Sequence, residues 1–392
     1  MKYLMDELVD LKIGRTPPRK EPRWFSKDSG MKWVSIKDMG NTGRYIKETS
    51  ERITFEAIDK FNIPIVKKGT VLLSFKLTVG RVSITQDDMI TNEAIAQLPV
   101  KNPEVLNPMF LYYYLKNYNF NQLGSTSSIA AAVNSTYLKK MELDIPSVCV
   151  QNKIVDILSS LDNKIEENKK VNKNLEQQAQ TLYREMFVNT KNANRRTCRA
   201  EEYFDVAIGK TPPRKEHQWF TTNPSDVTWV SISDMGNCGT YISKSSEQLT
   251  QEAIDKFNIK VIPTNTILLS FKLTIGRIAI THGEMTTNEA IAHFKTDKPF
   301  INEYLYCYLK NFNYQTMGST SSIATAVNSK IIKAMPFVVP VDDEAIRFHS
   351  LAGPMFERIL SNQLENDNLA GIRDALLPKL LSGELDVSGL DL

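Results

Sequence analysis

A chain of 392 residues with 42% hydrophobic and 24% charged residues is long enough for two or three buried cores, and its composition excludes wholesale disorder. The formal net charge of +3 excludes a uniformly basic nucleic-acid binder, so any such footprint has to come from local clusters. The absence of an 18-residue apolar run and of a signal-peptide core predicts a cytoplasmic protein with no membrane partner, and the scattered Cys149, Cys198, Cys238 and Cys307 provide neither a zinc site nor a disulfide framework.

In chain order, the first distinctive segment is Ile13-Gly-Arg-Thr-Pro-Pro-Arg-Lys-Glu. It places Arg15, Thr16, Arg19 and Lys20 around a rigid Pro17-Pro18 pair, and such side chains suit phosphate oxygens and guanine edges. A solvated basic loop would read the same way. Residues 33–37, 71–75 and 81–85 have the β-branched and alternating character of strands. Thr54 is placed to cap a helix over residues 55–61, with Glu56 in its first turn. Glu56 and Asp59 read as the solvated face of that helix rather than as an acidic nuclease centre.

Between the second and third strands lies Ser74-Phe-Lys-Leu-Thr-Val-Gly-Arg, which offers Lys76, Thr78 and Arg81 to a ligand and Gly80 for close approach. A hairpin whose apolar members enter the core fits equally well. Residues 108–119 form an apolar-faced helix. Ser125 and Thr126 in Gly124-Ser-Thr-Ser-Ser provide hydroxyls for phosphate or for a helix cap. Trp24, Trp33, Tyr45, Tyr112, Tyr113 and Tyr114 read as core.

From Gln151 to Phe187 the chain reads as one long helix. Ile154, Leu158, Leu161, Ile165, Asn168, Asn172, Leu175, Ala179, Leu182 and Met186 step by four and three in turn, a heptad seam. About 37 residues at roughly 1.5 Å each make a rod of roughly 55 Å.

Every one of these features returns. Ile13 to Glu21 recurs from Ile208 at an offset of 195, Trp33-Val-Ser-Ile-Lys-Asp-Met-Gly-Asn recurs from Trp229 at 196, and Gly124-Ser-Thr-Ser-Ser recurs from Gly318 at 194. The segments beginning Glu56, Leu72 and Thr91 return from Glu252, Leu268 and Thr287. The second set of candidate contacts is therefore Lys210, Thr211, Arg214, Lys215, Lys272, Thr274, Arg277, Ser319 and Thr320. The helix repeats as a seam through Phe348, Ala352, Met355, Ile359, Asn362, Asn366, Leu369, Arg373, Leu376 and Leu380.

Antiparallel pairing of the two seams sets Asn168 opposite Asn366 and Asn172 opposite Asn362, and buried asparagines of this kind fix register. Gly353 and Pro354 point to a kink or interruption in the second helix, and Gly371 weakens it further. The expected architecture is α+β: a domain over residues 1–148, a spacer helix over 149–188, a second domain over 189–341, and a second helix with its tail over 342–392. A local two-fold axis would relate the copies.

Duplication also serves as a filter for chemistry, because a site carried by the repeat should occur twice. His217, His282, His293 and His349 correspond to Pro22, Gln86, Gln97 and Val155, which leaves no duplicated base, triad or metal ligand. Gly209-Lys-Thr has Phe204 where a phosphate loop needs its upstream glycine. Neither a catalytic residue nor a metal site is assigned.

With Trp33-Val-Ser-Ile-Lys-Asp-Met-Gly, Leu72-Leu-Ser-Phe-Lys-Leu-Thr-Val-Gly-Arg, the Gly124 loop and the closing Leu369-Ala-Gly-Ile-Arg-Asp-Ala-Leu-Leu-Pro-Lys-Leu-Leu-Ser-Gly-Glu-Leu, the chain resembles the specificity subunit of a Type I restriction-modification system over essentially its whole length. That resemblance implies a non-catalytic subunit in which two target-recognition domains read double-stranded DNA and the helices act as spacer. It also implies two methyltransferase subunits bringing S-adenosylmethionine, and restriction/translocase subunits using ATP and Mg2+. No Asn/Asp-Pro-Pro-Tyr methyltransferase motif occurs in this chain. Because the candidate loops are nearly the same in both copies, the expected target is bipartite and near-palindromic, its half-sites separated by at most roughly 16 base pairs at about 3.4 Å each. Among the departures from identity are Arg15/Lys210, Arg23/Gln218 and Lys37/Ser233. A stand-alone bipartite DNA-binding regulator without enzymatic partners is the alternative.

Overall fold

The computed structural model describes residues 1–41, 43–120, 134–190, 192–317 and 327–390, without the side chain of Asn41. Ser125, Thr126, Ser319 and Thr320 lie outside the described residues. The chain divides into two compact units, Met1–Asn163 with Leu369–Leu392 and Lys164–Asn368.

In the first unit a five-stranded sheet runs in the order Lys12–Ile13, Ile95–Leu98, Val71–Ser74, Val82–Thr85, Tyr45–Ile46. Its strands pair antiparallel except for the last, which is parallel to Val82–Thr85. Val71–Ser74 is buried along its whole length, which explains its continuous apolar run instead of an alternating one. A four-stranded sheet orders Phe25–Ser26, Glu51–Ile53, Met31–Val34 and Ile90–Thr91. The second unit repeats both sheets strand for strand, from Asp205–Ile208 and from Phe220–Thr221.

Local chemistry sets the helices. Thr54 accepts from the Ala57 amide at 3.3 Å and starts Phe55–Lys60. Asn107 caps Pro108–Asn117, whose Phe110, Leu111, Tyr113 and Leu115 lie in the core. The strand expected over residues 33–37 stops at Val34, because Ser35 and Asp38 exchange amide-to-side-chain bonds of 2.8 and 3.3 Å and nucleate the helix Ile36–Asn41.

The first long helix spans Val148–Tyr183 and ends in a wider turn, Arg184–Val188. The second spans Asp342–Ser382 without interruption, through Gly353, Pro354 and Gly371. The break expected at Pro354 is absent because Phe348, Ala352, Phe356 and Ile359, on both sides of it, are at most 1% exposed in the core of the second unit.

Within each unit the helix segments pair antiparallel. In the second, Asn168 Nδ2 donates to Asn366 Oδ1 at 3.0 Å and Asn362 Nδ2 to Asn172 Oδ1 at 2.7 Å. In the first, Arg373 forms a 2.7 Å ion pair with the buried Asp162, which also accepts from the Tyr113 hydroxyl at 2.7 Å. Leu377, Leu380 and Val387 pack into the core that holds Ile154 and Leu158.

Candidate nucleic-acid interface

The segment Thr91-Asn-Glu-Ala, noted in the sequence only as a repeat, brackets two of the candidate loops. The Arg15 amide donates to the Thr91 carbonyl at 2.9 Å, Thr16 Oγ1 donates to the Glu93 carboxylate, and the Phe75 amide donates to the Ala94 carbonyl at 3.0 Å. A Cβ on Gly14 would lie 2.1 Å from the Thr91 carbonyl oxygen, so only glycine permits this approach. The second domain repeats the bracket: Lys210 to Thr287 at 2.8 Å, Thr211 to Glu289, and Phe271 to Ala290 at 2.9 Å.

The Arg15 guanidinium is turned onto the Phe61 carbonyl at 2.9 Å, at the C-terminal end of the helix Phe55–Lys60. Lys210 makes the same contact with the Phe257 carbonyl at 2.6 Å. The Arg-to-Lys departure therefore preserves one structural bond. Arg19 lies 4.3 Å above the Phe25 ring and 4.5 Å above Trp33, and pairs with Glu51 at 2.9 Å. Arg214 reproduces this with Phe220, Trp229 and Glu247 at 4.1, 4.5 and 2.8 Å. Both arginines remain about half exposed, so each is a pre-oriented guanidinium at the surface, its charge partly balanced by its glutamate. Lys20 and Lys215 are exposed beside them.

The loop after Val71–Ser74 separates its residues sharply. Phe75 is buried, whereas Lys76, Leu77 and Thr78 face solvent. Arg81 turns inward: its Nη1 donates to the Ile36 carbonyl at 2.6 Å and sits where a Cβ on Gly40 would come within 2.3 Å. Arg277 does the same with the Ile232 carbonyl and Gly236. These two arginines join the loop to a neighbouring helix, whereas Lys76, Thr78 and Thr274 are presented outward and Lys272 is half-buried at the loop base.

Glu93 and Glu289, which have no place among the candidate contacts of the sequence, are exposed acceptors that would suit a cytosine amino group. Their duplication within Thr-Asn-Glu-Ala was the available signal. In the second unit a cleft of 780 Å³ is lined by Lys169, Lys173, Lys244 and Lys310, of which Lys244 pairs with Asp367 at 2.9 Å and Lys310 with Glu176 at 3.1 Å. Among the described residues no group of three or more His, Cys, Asp or Glu is placed to hold a metal ion, and no helix is long and apolar enough to cross a membrane.

Residues 1–177 and 196–346 match the family described as Type I restriction modification DNA specificity domain. The chain is 28% identical over 415 residues to the Type I restriction enzyme MjaIX specificity subunit of Methanocaldococcus jannaschii, with 96% of this chain and 91% of that one covered. It is 24% identical over 404 residues to the HindI specificity subunit of Haemophilus influenzae, covering 82% and 87%. In fold it is similar to the crystal structure of the Type I restriction-modification S subunit from M. genitalium, at a TM-score of 0.56 and 17% identity over 97% of this chain and 95% of that one. The chain thus belongs to the Type I restriction-modification DNA specificity family, with two stretches matching that domain.

Proposed function

We propose that this chain is the non-catalytic DNA-reading subunit of a Type I restriction-modification assembly, and that each domain reads one half of a bipartite target. The observation that carries this reading is the doubly occurring bracket, which presents a basic Pro-Pro loop and a Lys-Leu-Thr tip from the same short segment in each domain. Lys20, Lys76 and Thr78 contact phosphate, Arg19 and Arg214 are the pre-oriented cations, and Glu93 and Glu289 are acceptors for base edges. Methyl transfer with S-adenosylmethionine, and ATP- and Mg2+-dependent translocation and cleavage, belong to two methyltransferase subunits and to restriction subunits in this scheme. The paired helices serve as spacer and docking rod.

The two domains offer nearly the same contacts, which supports half-sites that are alike, and the target in this scheme is near-palindromic. Sequencing of methylated motifs in cells with and without the gene tests this. The expected result is a gapped, near-palindromic motif that vanishes with the gene; two unrelated half-sites would overturn the palindrome, and an unchanged methylome would overturn the role itself.

A further inference from the structure

Leu77 and Leu273 are the most exposed of the large hydrophobic residues described, at 79% and 82%. Each sits at a loop apex with φ of +64° and +61°, a region bulky side chains rarely adopt. The Thr78 amide donates to the Lys76 carbonyl at 2.7 Å, and the Thr274 amide to the Lys272 carbonyl at 2.6 Å, so each leucine is the centre of a tight three-residue turn of the strained hand. The Ser74 hydroxyl braces the turn from below by donating to the Thr78 carbonyl and accepting from the Arg81 amide, and Ser270 repeats this. A rigid apex that holds an apolar side chain in water, at a conformational cost, occurs in both domains. Strain of this kind persists where a site uses it.

We infer that Leu77 and Leu273 each pack against the 5-methyl group of a thymine in the major groove, one in each half-site. This inference rests on the DNA-reading assignment above. The apex stands clear of two buried strands of the sheet, so it meets a duplex as a single tight turn, and only the major groove presents a base methyl group to such a tip. Lys76 and Thr78 flank the leucine with groups suited to the backbone on either side. Thymine methyl is the apolar feature a duplex shows in that groove without distortion. Wedging the leucine between base pairs would instead require unstacking, which costs at least as much as burial of one leucine returns.

The test uses the full-length chain and a duplex carrying the methylated motif, with each thymine replaced singly by deoxyuridine, which lacks only the methyl. One position in each half-site is expected to weaken binding about fourfold, the worth of one buried methyl. Leu77→Asn should abolish that sensitivity in one half-site and Leu273→Asn in the other, while asparagine tolerates the left-handed backbone and preserves the fold. Uridine effects that are absent, or that persist in both variants, overturn the inference. So does leucine-dependent brightening of 2-aminopurine beside the site, which marks a wedge. Failure of the chain to distinguish the motif duplex from a scrambled one would remove the DNA-reading assignment itself, and this contact with it.

Discussion

His293 shows what a single difference between the copies does to a core position. Its ring is buried, with Thr287 Oγ1 at 2.6 Å; in the first domain Gln97 fills the same place and donates to Thr91 Oγ1 at 3.1 Å. Burial lowers the imidazole pKa from 6.5 to about 4. The folded state thus keeps the ring neutral where the unfolded chain takes up a proton. Stability from this site is complete above pH 6.5, declines as the pH falls toward 4, and changes no further below that, for a total of up to about 3 kcal/mol. Thermal melting of the wild type should therefore lose ground to His293→Gln between pH 6.5 and 4.5. Two melting curves that shift in parallel across that range would show that the ring is solvated or charged when folded. No duplicated histidine hinted at this, because the role depends on burial alone.

At the scale of elements, local rules were readable and directions were not. The heptad seams, the opposed asparagines and the Thr54 cap follow from spacing and side-chain chemistry that act within a few residues. The same reasoning extended the strand at Trp33 too far, since a Ser35–Asp38 capping box outweighs the β-type run. Arg81 and Arg277 looked outward in sequence; only the neighbouring helix, with Gly40 and Gly236 making room, turns them in. Sheet order depends on pairings far apart in the chain and left no local trace. Pro354 makes the balance measurable. It is exposed, it denies the Ser350 carbonyl its helical donor, and the helix persists because the core grips both flanks. Pro354→Ala should raise stability by roughly 1–3 kcal/mol, read as a higher denaturation midpoint for the second unit. A lowered or unchanged midpoint would mean that the proline relieves strain in this helix.

For the whole molecule, what matters to the proposed reading is how far the two copies differ in the loops that would face DNA. Of the three departures named above, Arg15/Lys210 is neutral, since both cations bond a carbonyl at the C-terminal end of the matching helix. Trp24 carries both Arg23 at 4.2 Å, which pairs with Glu21, and Lys60 at 4.9 Å, while Gln218 replaces the arginine in the second domain and leaves Trp219 with Lys256 at 4.4 Å. Lys37 and Ser233 are both exposed in the first turn of matching helices. The domains should therefore read the same bases with unequal electrostatic strength, the first more tightly. A chain with Gln218→Arg and Ser233→Lys should keep its motif but bind it with a steeper salt dependence, the logarithmic slope increasing by about 0.9 for each new phosphate contact. If the bases preferred in one half-site changed instead, positions 218 and 233 would belong to base readout, and the likeness of the half-sites would have to rest on the bracketed loops alone.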